Sequence, residues 1–287
     1  MHTSPARDGG DVERVRPIDA EALETFRKKG EQSALKVRRV LQTTKDLLRR
    51  DLAGVRVLDL GCGEGACSIE AGLRGAQVLA VDGRSGRLDD GRAIAARHGL
   101  SNVEFRIADV RSLRRADVGE FDAVFFLGLQ HRLDVPDVFD VMRNVHEMCR
   151  GVLVLDAHVA SASDVRVEWG GAAFEGQSKR GREEPADAFW FTKESLCRLV
   201  HHVGFTSVFE CHVPIEAAKP ADRVTLAAVK GAPTVLSAYP WINGMSEADI
   251  AARLGGIPGF SRFCEKPGPK KRHEVLRTLF RGRKRRP

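Results

Sequence analysis

Between residues 55 and 230 short apolar runs alternate with stretches of helical periodicity, regularly enough to be read as a fold. Arg56–Leu60 is an apolar run of the length that forms a buried parallel strand. A helix is expected from about Ala66 to Leu73, stopped by Gly75, then a strand over Gln77–Val81. A helix around Gly86–His98 stops at Gly99, and a strand follows at Val103–Ile107. Ala123–Leu127 is wholly apolar, and a helix at about Val135–Met148 leads to a strand at Val152–Leu155. After an interruption, Thr192 caps a helix that runs to His202 and stops at Gly204. Phe205–Val213 and Asp222–Val229 read as two closing strands, separated by a hinge containing Pro214 and Pro220. Strands and helices in this order predict an α/β fold, a doubly wound, mostly parallel seven-stranded sheet.

The flanks follow other patterns. Residues 1–18 are rich in Gly, Asp and Arg and are expected to be disordered. Over 19–53 apolar residues recur at spacings of three and four, which predicts an N-terminal helical segment with a break near Gly30. The core domain is expected over 54–230, with an insertion at 160–190 that breaks the alternation. Residues 231–287 form a Pro-rich, basic C-terminal extension. No internal repeat is found.

Charge changes the picture only at one end. The 287 residues carry a net charge of +7, but residues 266–287 hold ten Lys or Arg and one acid, Glu274. Those 22 residues are +9, so the body before them is about −2. Nucleic acid is therefore a possible partner through 266–287 alone, and a solvated extension is the plainer reading. No apolar run approaches a membrane span and the N-terminus has no signal-like apolar stretch, so a cytoplasmic protein is expected. Six cysteines lack paired spacing, which suggests neither a zinc site nor a disulfide framework.

The first strand ends in Asp59-Leu-Gly61-Cys62-Gly63-Glu-Gly65. Alternate glycines let a loop turn sharply and admit a ligand against bare backbone. Gly61, Gly63 and Ala66 also satisfy the dinucleotide pattern, and Asp82, ending the second strand, would suit a ribose in either case. Asp59 separates the two readings. Its charge repels a pyrophosphate and favours an ammonium, so the cofactor indicated is a nucleoside with an amino-acid tail, S-adenosylmethionine. Asp109, at the end of the third strand, can accept from an adenine amine, with backbone N–H groups near Val110 reading the ring.

This set of strand-end residues resembles the class I S-adenosylmethionine-dependent methyltransferases, and the resemblance covers about Gly54 to Lys230. It implies a Rossmann-like methyltransferase fold and a cofactor site made of Asp59, Gly61, Cys62, Gly63, Gly65, Asp82, Gly83, Asp109, Val110 and Leu127. Asp59 and Gly61 would face the methionine amino end, Asp82 the ribose and Asp109 the adenine. A narrower likeness lies in Leu127-Gly-Leu-Gln-His-Arg-Leu-Asp-Val-Pro and Cys149-Arg-Gly-Val-Leu-Val-Leu-Asp-Ala-His. It resembles the tRNA wobble-uridine carboxymethyl-transferring enzymes, with Gln130 where that family has tyrosine.

His131 and His158 are the candidate catalytic bases, since an imidazole titrates near neutrality and both follow strands that end near the expected methyl group. Asp156 is read as orienting a histidine or as ending its strand, and no metal ligand cluster is seen. Trp169, Phe174, Phe189 and Trp190 in the insertion are read as a lid over an apolar acceptor or as packing onto the sheet. The expected activity is methylation of a small metabolite on oxygen, or less favourably on nitrogen. Two other readings stay open: a methyl- or carboxymethyl-transferase acting on tRNA, and a non-catalytic donor-binding subunit.

Overall fold

The computed structural model describes residues 31–180, 187–211 and 222–234. The expectations for residues 1–30, for the hinge prolines Pro214 and Pro220, and for the basic extension beyond Thr234 fall outside the described residues, as does Cys264. In chain order the elements are α1 (Glu31–Leu48), β1 (Arg56–Leu60), α2 (Ala66–Leu73), β2 (Gln77–Asp82), α3 (Ser85–Arg97) and β3 (Val103–Ile107). They continue with α4 (Arg115–Val118), β4 (Phe121–Leu127), a 3₁₀ turn (Gln130–Arg132), α5 (Asp137–Met148) and β5 (Cys149–His158). The last are β6 (Val165–Trp169), β7 (Ala172–Arg180), β8 (Asp187–Phe191), α6 (Lys193–His202), β9 (Ser207–Glu210) and β10 (Arg223–Val229).

Seven strands form one sheet in the order β3-β2-β1-β4-β5-β10-β9. β1 pairs in parallel with β2 and β4, and β10 runs antiparallel to both β5 and β9. The order reverses direction between β1 and β4, which is where an open α/β sheet opens a crevice at its carboxyl edge. The central strands are buried on both faces: Leu58, Leu60, Val124, Phe126, Leu153 and Leu155 pack on one, and Val57, Ala123, Phe125, Val152 and Val154 on the other. Strands covered on both sides need continuous apolar runs, as β1, β4 and β5 have. α5 contributes Val138, Val141, Met142, Val145 and Met148 to the first face, a stripe at helical spacing.

The elements match their expected bounds closely, and β1, α2 and β3 match fully. β5 is longer than expected, continuing to His158, because its far half is paired along its length by β10. The closing strand expected over Phe205–Val213 is only Ser207–Glu210 within the described residues. The 160–190 stretch differs most from expectation. It holds a three-stranded antiparallel sheet in the order β6-β7-β8. Its small residues serve close packing: a Cβ at Gly176 would stand 2.3 Å from the Trp190 carbonyl oxygen. The sheet joins the main body where Ala160 bridges Thr192, and the Thr192 hydroxyl accepts the Ser195 N–H at the start of α6.

Candidate functional site

The carboxyl ends of β1, β2 and β4 meet at the switch point. Gly61, Gly63 and Gly65 have φ of 70°, 60° and 78°, a left-handed path that favours residues without a Cβ. Space enforces the choice as well, since a Cβ at Gly65 would lie 2.5 Å from the Phe105 ring. The Gly61 and Cys62 amides donate to the Val81 carbonyl at 2.8 and 3.0 Å, which lashes the loop to β2. Asp82 completes that tie: its Oδ2 accepts the Gly63 N–H at 3.0 Å and its Oδ1 the Arg84 N–H at 2.9 Å. A carboxylate offers about four acceptor sites, so lone pairs remain for a vicinal diol. Gly83 follows, its Cβ position 4.0 Å from the Ala108 carbonyl oxygen, and Leu127 ends β4 beside Asp156 of β5.

Asp59 is not open to the crevice. It is 2% exposed beneath the loop, where its Oδ2 accepts the Ser68 hydroxyl at 2.7 Å. Burial pushes its carboxyl up to about 6, against the opposing pull of Ser68 and of the Lys36 charge. Its influence on a cationic ligand is therefore through its field rather than by contact. Cys62 is no nucleophile, because burial, with Asp59 and Asp82 nearby, holds its thiol above the physiological range. Asp109 is half-exposed and pairs with the Arg111 guanidinium, whose hydrogen bonds hold its carboxyl below the usual range. Val110 is turned into the core.

On the other side of the switch point, the turn after β4 carries the two imidazoles together. Leu129 seats its side chain against Gly61, where a Cβ would lie 2.8 Å from Leu129 Cδ2. Two residues on, His131 Nδ1 accepts the backbone N–H of His158 at 3.2 Å. A backbone amide only donates, so Nδ1 is unprotonated and the neutral ring carries its hydrogen on Nε2. Burial first, then the neighbouring His158, pulls His131 down to about 3. With Nδ1 taken by the backbone, the neutral ring offers an N–H at Nε2. The His158 ring meets His131 edge-on at 4.7 Å and stacks on Trp190 at 4.9 Å and 18°. Its Nδ1 lies 3.3 Å from Asp222 Oδ2, an ion-pair distance without hydrogen-bond alignment.

Of the four aromatic residues read as a lid, only Trp190 faces the imidazoles. Trp169 stacks on Phe139 of α5 at 5.1 Å with Arg143 over its ring. Phe174 is wholly buried against Phe139 and Phe191, and Phe189 packs on Phe191 at 4.7 Å. These three hold the small sheet to the body. Asp156 does not orient a histidine. Its carboxylate takes Lys36, Arg223 and Thr225, and their charges hold it well below the usual range although burial alone would raise it. Sequence reasoning missed Lys36, Arg223 and Asp222, which lie far from the motifs in the chain. Among the described residues no three His, Cys, Asp or Glu come together as metal ligands, and no helix is long and apolar enough to cross a membrane.

The sheet order and switch-point loop define the class of the molecule: its fold is the Rossmann-like methyltransferase fold. Residues 57–151 match the family model described as "Methyltransferase domain". Over 92 residues the chain is 34% identical to a ubiquinone biosynthesis O-methyltransferase of Acinetobacter baumannii (strain AYE), covering 32% of this chain and 38% of that protein. A protein of the same name from Xanthomonas oryzae pv. oryzae (strain PXO99A) is 39% identical over 99 residues, with 33% and 38% covered. The chain thus spans less than two-fifths of the length of these curated relatives. Among solved structures, the N-terminal domain of EvdMO1, crystallised with S-adenosylhomocysteine and D-fucose, aligns with a TM-score of 0.54 and 23% identity over 67% of this chain and 82% of that one. Magnesium protoporphyrin IX methyltransferase from Synechocystis PCC 6803, with bound S-adenosylmethionine, aligns at 0.51 and 17% over 78% and 87%.

Proposed function

We propose that this chain transfers a methyl group from S-adenosylmethionine to an oxygen of a small acceptor. The observation that carries the proposal is the turn after β4, where Leu129 lies on the glycine loop and His131 bonds to His158, so donor loop and imidazoles are joined by three consecutive residues. The matched domain over residues 57–151 supports the reaction class, and the names of the curated relatives support oxygen as the acceptor atom.

The residues present fit the donor. The glycine loop offers bare backbone, Asp82 keeps acceptor sites for a ribose, and Asp59 supplies a buried negative field for an ammonium or sulfonium. Asp109 would leave Arg111 to accept from an adenine amine, beside Val110. When bound, S-adenosylmethionine supplies a methyl group on an already activated cationic sulfur. What remains for the protein is alignment, exclusion of water and removal of a proton.

The tautomers divide that work. His131 presents Nε2–H and donates to a lone pair of the acceptor oxygen. His158 turns Nδ1 to Asp222, which leaves Nε2 as the acceptor of the hydroxyl proton. As the methyl–sulfur bond broke and the new C–O bond formed, leaving a neutral thioether on the donor, that proton would pass to His158 and then to solvent. Trp190, stacked on His158, offers an apolar wall for a planar acceptor.

Calorimetry with S-adenosylmethionine tests the donor site: Asp82→Ala abolishes micromolar-range binding, and equal binding by both proteins would end the proposal. Radiolabelled methyl transfer into a cell extract, followed by fractionation of the product, tests the acceptor class. A tRNA acceptor is the second reading, supported by the motif after β4 and the +9 charge of residues 266–287. It requires that tRNA affinity fall steeply with salt and with deletion after Gly268.

A further inference from the structure

The two faces of the small sheet are unlike, and the one that meets the imidazoles carries a cation. Gly176 pairs with Phe191, Gln177 with Trp190, Ser178 with Phe189 and Lys179 with Ala188. Side chains alternate along each strand, so this register sorts them into two sets. Phe174, Phe189 and Phe191 belong to one set and are buried, on one another and on Phe139 of α5. Gln177, Lys179 and Trp190 belong to the other. Trp190 shows where that second face looks, because its ring stacks on His158 at 4.9 Å and meets His131 edge-on at 5.8 Å.

Lys179 reaches the same indole from β7. Its Nζ lies 5.7 Å from the centre of the Trp190 ring, a cation–π contact, so ammonium and imidazoles are neighbours across one ring. Among the described residues no carboxylate pairs with it. Glu175, the acid on the same face of β7, stands four residues back, roughly 14 Å along a strand. A π face takes up no conventional hydrogen bond, so the three N–H groups of the ammonium stay available. Lys179 and Trp190 are both half-buried, which puts these donors at the wall of the crevice.

The surrounding charge has the same sign. Burial first, then His158, Arg223 and Arg132, hold His131 down, so the space at the imidazole pair feels a positive field. Arg223 is engaged by Asp156. Arg132, exposed in the 3₁₀ turn, pairs with no carboxylate among the described residues. Asp222, the acid beside the pair, is turned to His158 Nδ1 at 3.3 Å. A neutral acceptor gains nothing from this arrangement, whereas an anionic one is drawn in and oriented.

We propose that the acceptor is a planar molecule bearing a carboxylate besides its reactive hydroxyl, and that Lys179 binds the carboxylate while the hydroxyl meets the imidazoles. A single ammonium matches a singly charged carboxylate, and Asp222 would repel a doubly charged phosphate more strongly. Lys179 is then a specificity residue, carried by the small sheet and set across one ring from the reaction. The inference deepens the reaction proposed above and rests on it for the hydroxyl, whereas the anion subsite is tested without turnover.

Calorimetry on the full chain, with S-adenosylhomocysteine present, compares 4-hydroxycinnamate with its uncharged amide in wild type, Lys179→Met and Lys179→Arg. Methionine keeps an apolar stem against Trp190 and loses only the charge. Wild type is expected to bind the acid about tenfold more tightly than the amide. Lys179→Met binds both alike, at the amide's affinity, and Lys179→Arg restores the preference. A wild type that binds the acid no more tightly than the amide, or binds neither, overturns the proposal. So does an acid preference that survives Lys179→Met, or a parallel loss of both ligands, which would make Lys179 a packing residue. In the labelled-transfer assay on the small-molecule fraction of a cell extract, the acceptor is retained by an anion exchanger at pH 8. Lys179→Met raises KM for that fraction about tenfold and acts little on kcat. Acceptor activity confined to the unretained fraction overturns the proposal. If no fraction accepts label while the acid preference holds as expected in all three proteins, the reaction reading fails and the subsite stands.

Discussion

His131 Nδ1 accepts the backbone N–H of His158 at 3.2 Å, a contact that distinguishes two imidazoles that the sequence makes look alike. With His131 neutral down to about pH 3, it cannot supply the acid limb of a pH–rate profile near neutrality. In His131→Asn the rate of methyl transfer falls about tenfold and the acid limb keeps its position. In His158→Asn the rate falls about 10²- to 10⁴-fold. The measurement is kcat/KM for whichever extract fraction accepts label, and a larger loss with His131 than with His158 would reverse the assignment.

Asp59 sets a second pH dependence. Its folded carboxyl is raised from 3.8 to about 6, so its protonated form is the one favoured by folding. That contribution to stability is fully present below about pH 3.8 and is lost as pH rises through about 6. The displacement corresponds to roughly 3 kcal/mol at higher pH. Asp59→Asn should therefore gain in Tm relative to wild type as pH goes from 4 to 7, then level off. Donor affinity runs the other way. A cationic ligand favours the ionised carboxylate, so wild-type affinity for S-adenosylmethionine rises through pH 6 while the Asn variant stays flat and weak. Thermal melts over pH 4–8 and calorimetry over pH 5–8 read the two effects.

Gly65→Ala should destabilise the chain by about 1–3 kcal/mol, because φ is 78° and the new Cβ would meet Phe105 at 2.5 Å. Gly86→Ala is the control: it lies in α3 with nothing within 4 Å of its Cβ position. It should stabilise by about 0.5–1 kcal/mol through helix propensity. Urea denaturation of both variants distinguishes local steric conflict from a general intolerance of loop and helix change.

The two tryptophans of the small sheet should separate in the same way. Trp169→Ala removes a half-buried ring stacked on Phe139 and under Arg143, and costs about 1–3 kcal/mol of stability. Trp190→Ala leaves that packing in place and raises KM for the acceptor, with donor binding unchanged. Urea denaturation, calorimetry and acceptor kinetics together check the pair; a large stability loss at Trp190 would make it part of the core.

The period of the hydrophobic pattern determined the strands and helices, because β1, β4 and β5 are covered on both faces and must be apolar throughout. The glycine loop was equally legible. Left-handed backbone at Gly61, Gly63 and Gly65 demands that residue type locally, and Asp82 ends its strand beside them. The small sheet of β6, β7 and β8 was not legible, since Gly170 and Gly171 between β6 and β7 and Gly176 within β7 read as loop punctuation rather than as a turn and close packing. Nor could sequence say which way a side chain turns. Tertiary structure alone decided that Trp190 faces the imidazoles while Trp169, Phe174 and Phe189 pack inward. It also decided that His131 Nδ1 accepts the backbone N–H of a residue 27 positions away. The same holds for Lys36, Asp156 and Arg223, which only the pairing of β10 with β5 and the packing of α1 bring together. Local chemistry is written in neighbouring residues, whereas protonation and charge balance depend on groups that only folding makes neighbours.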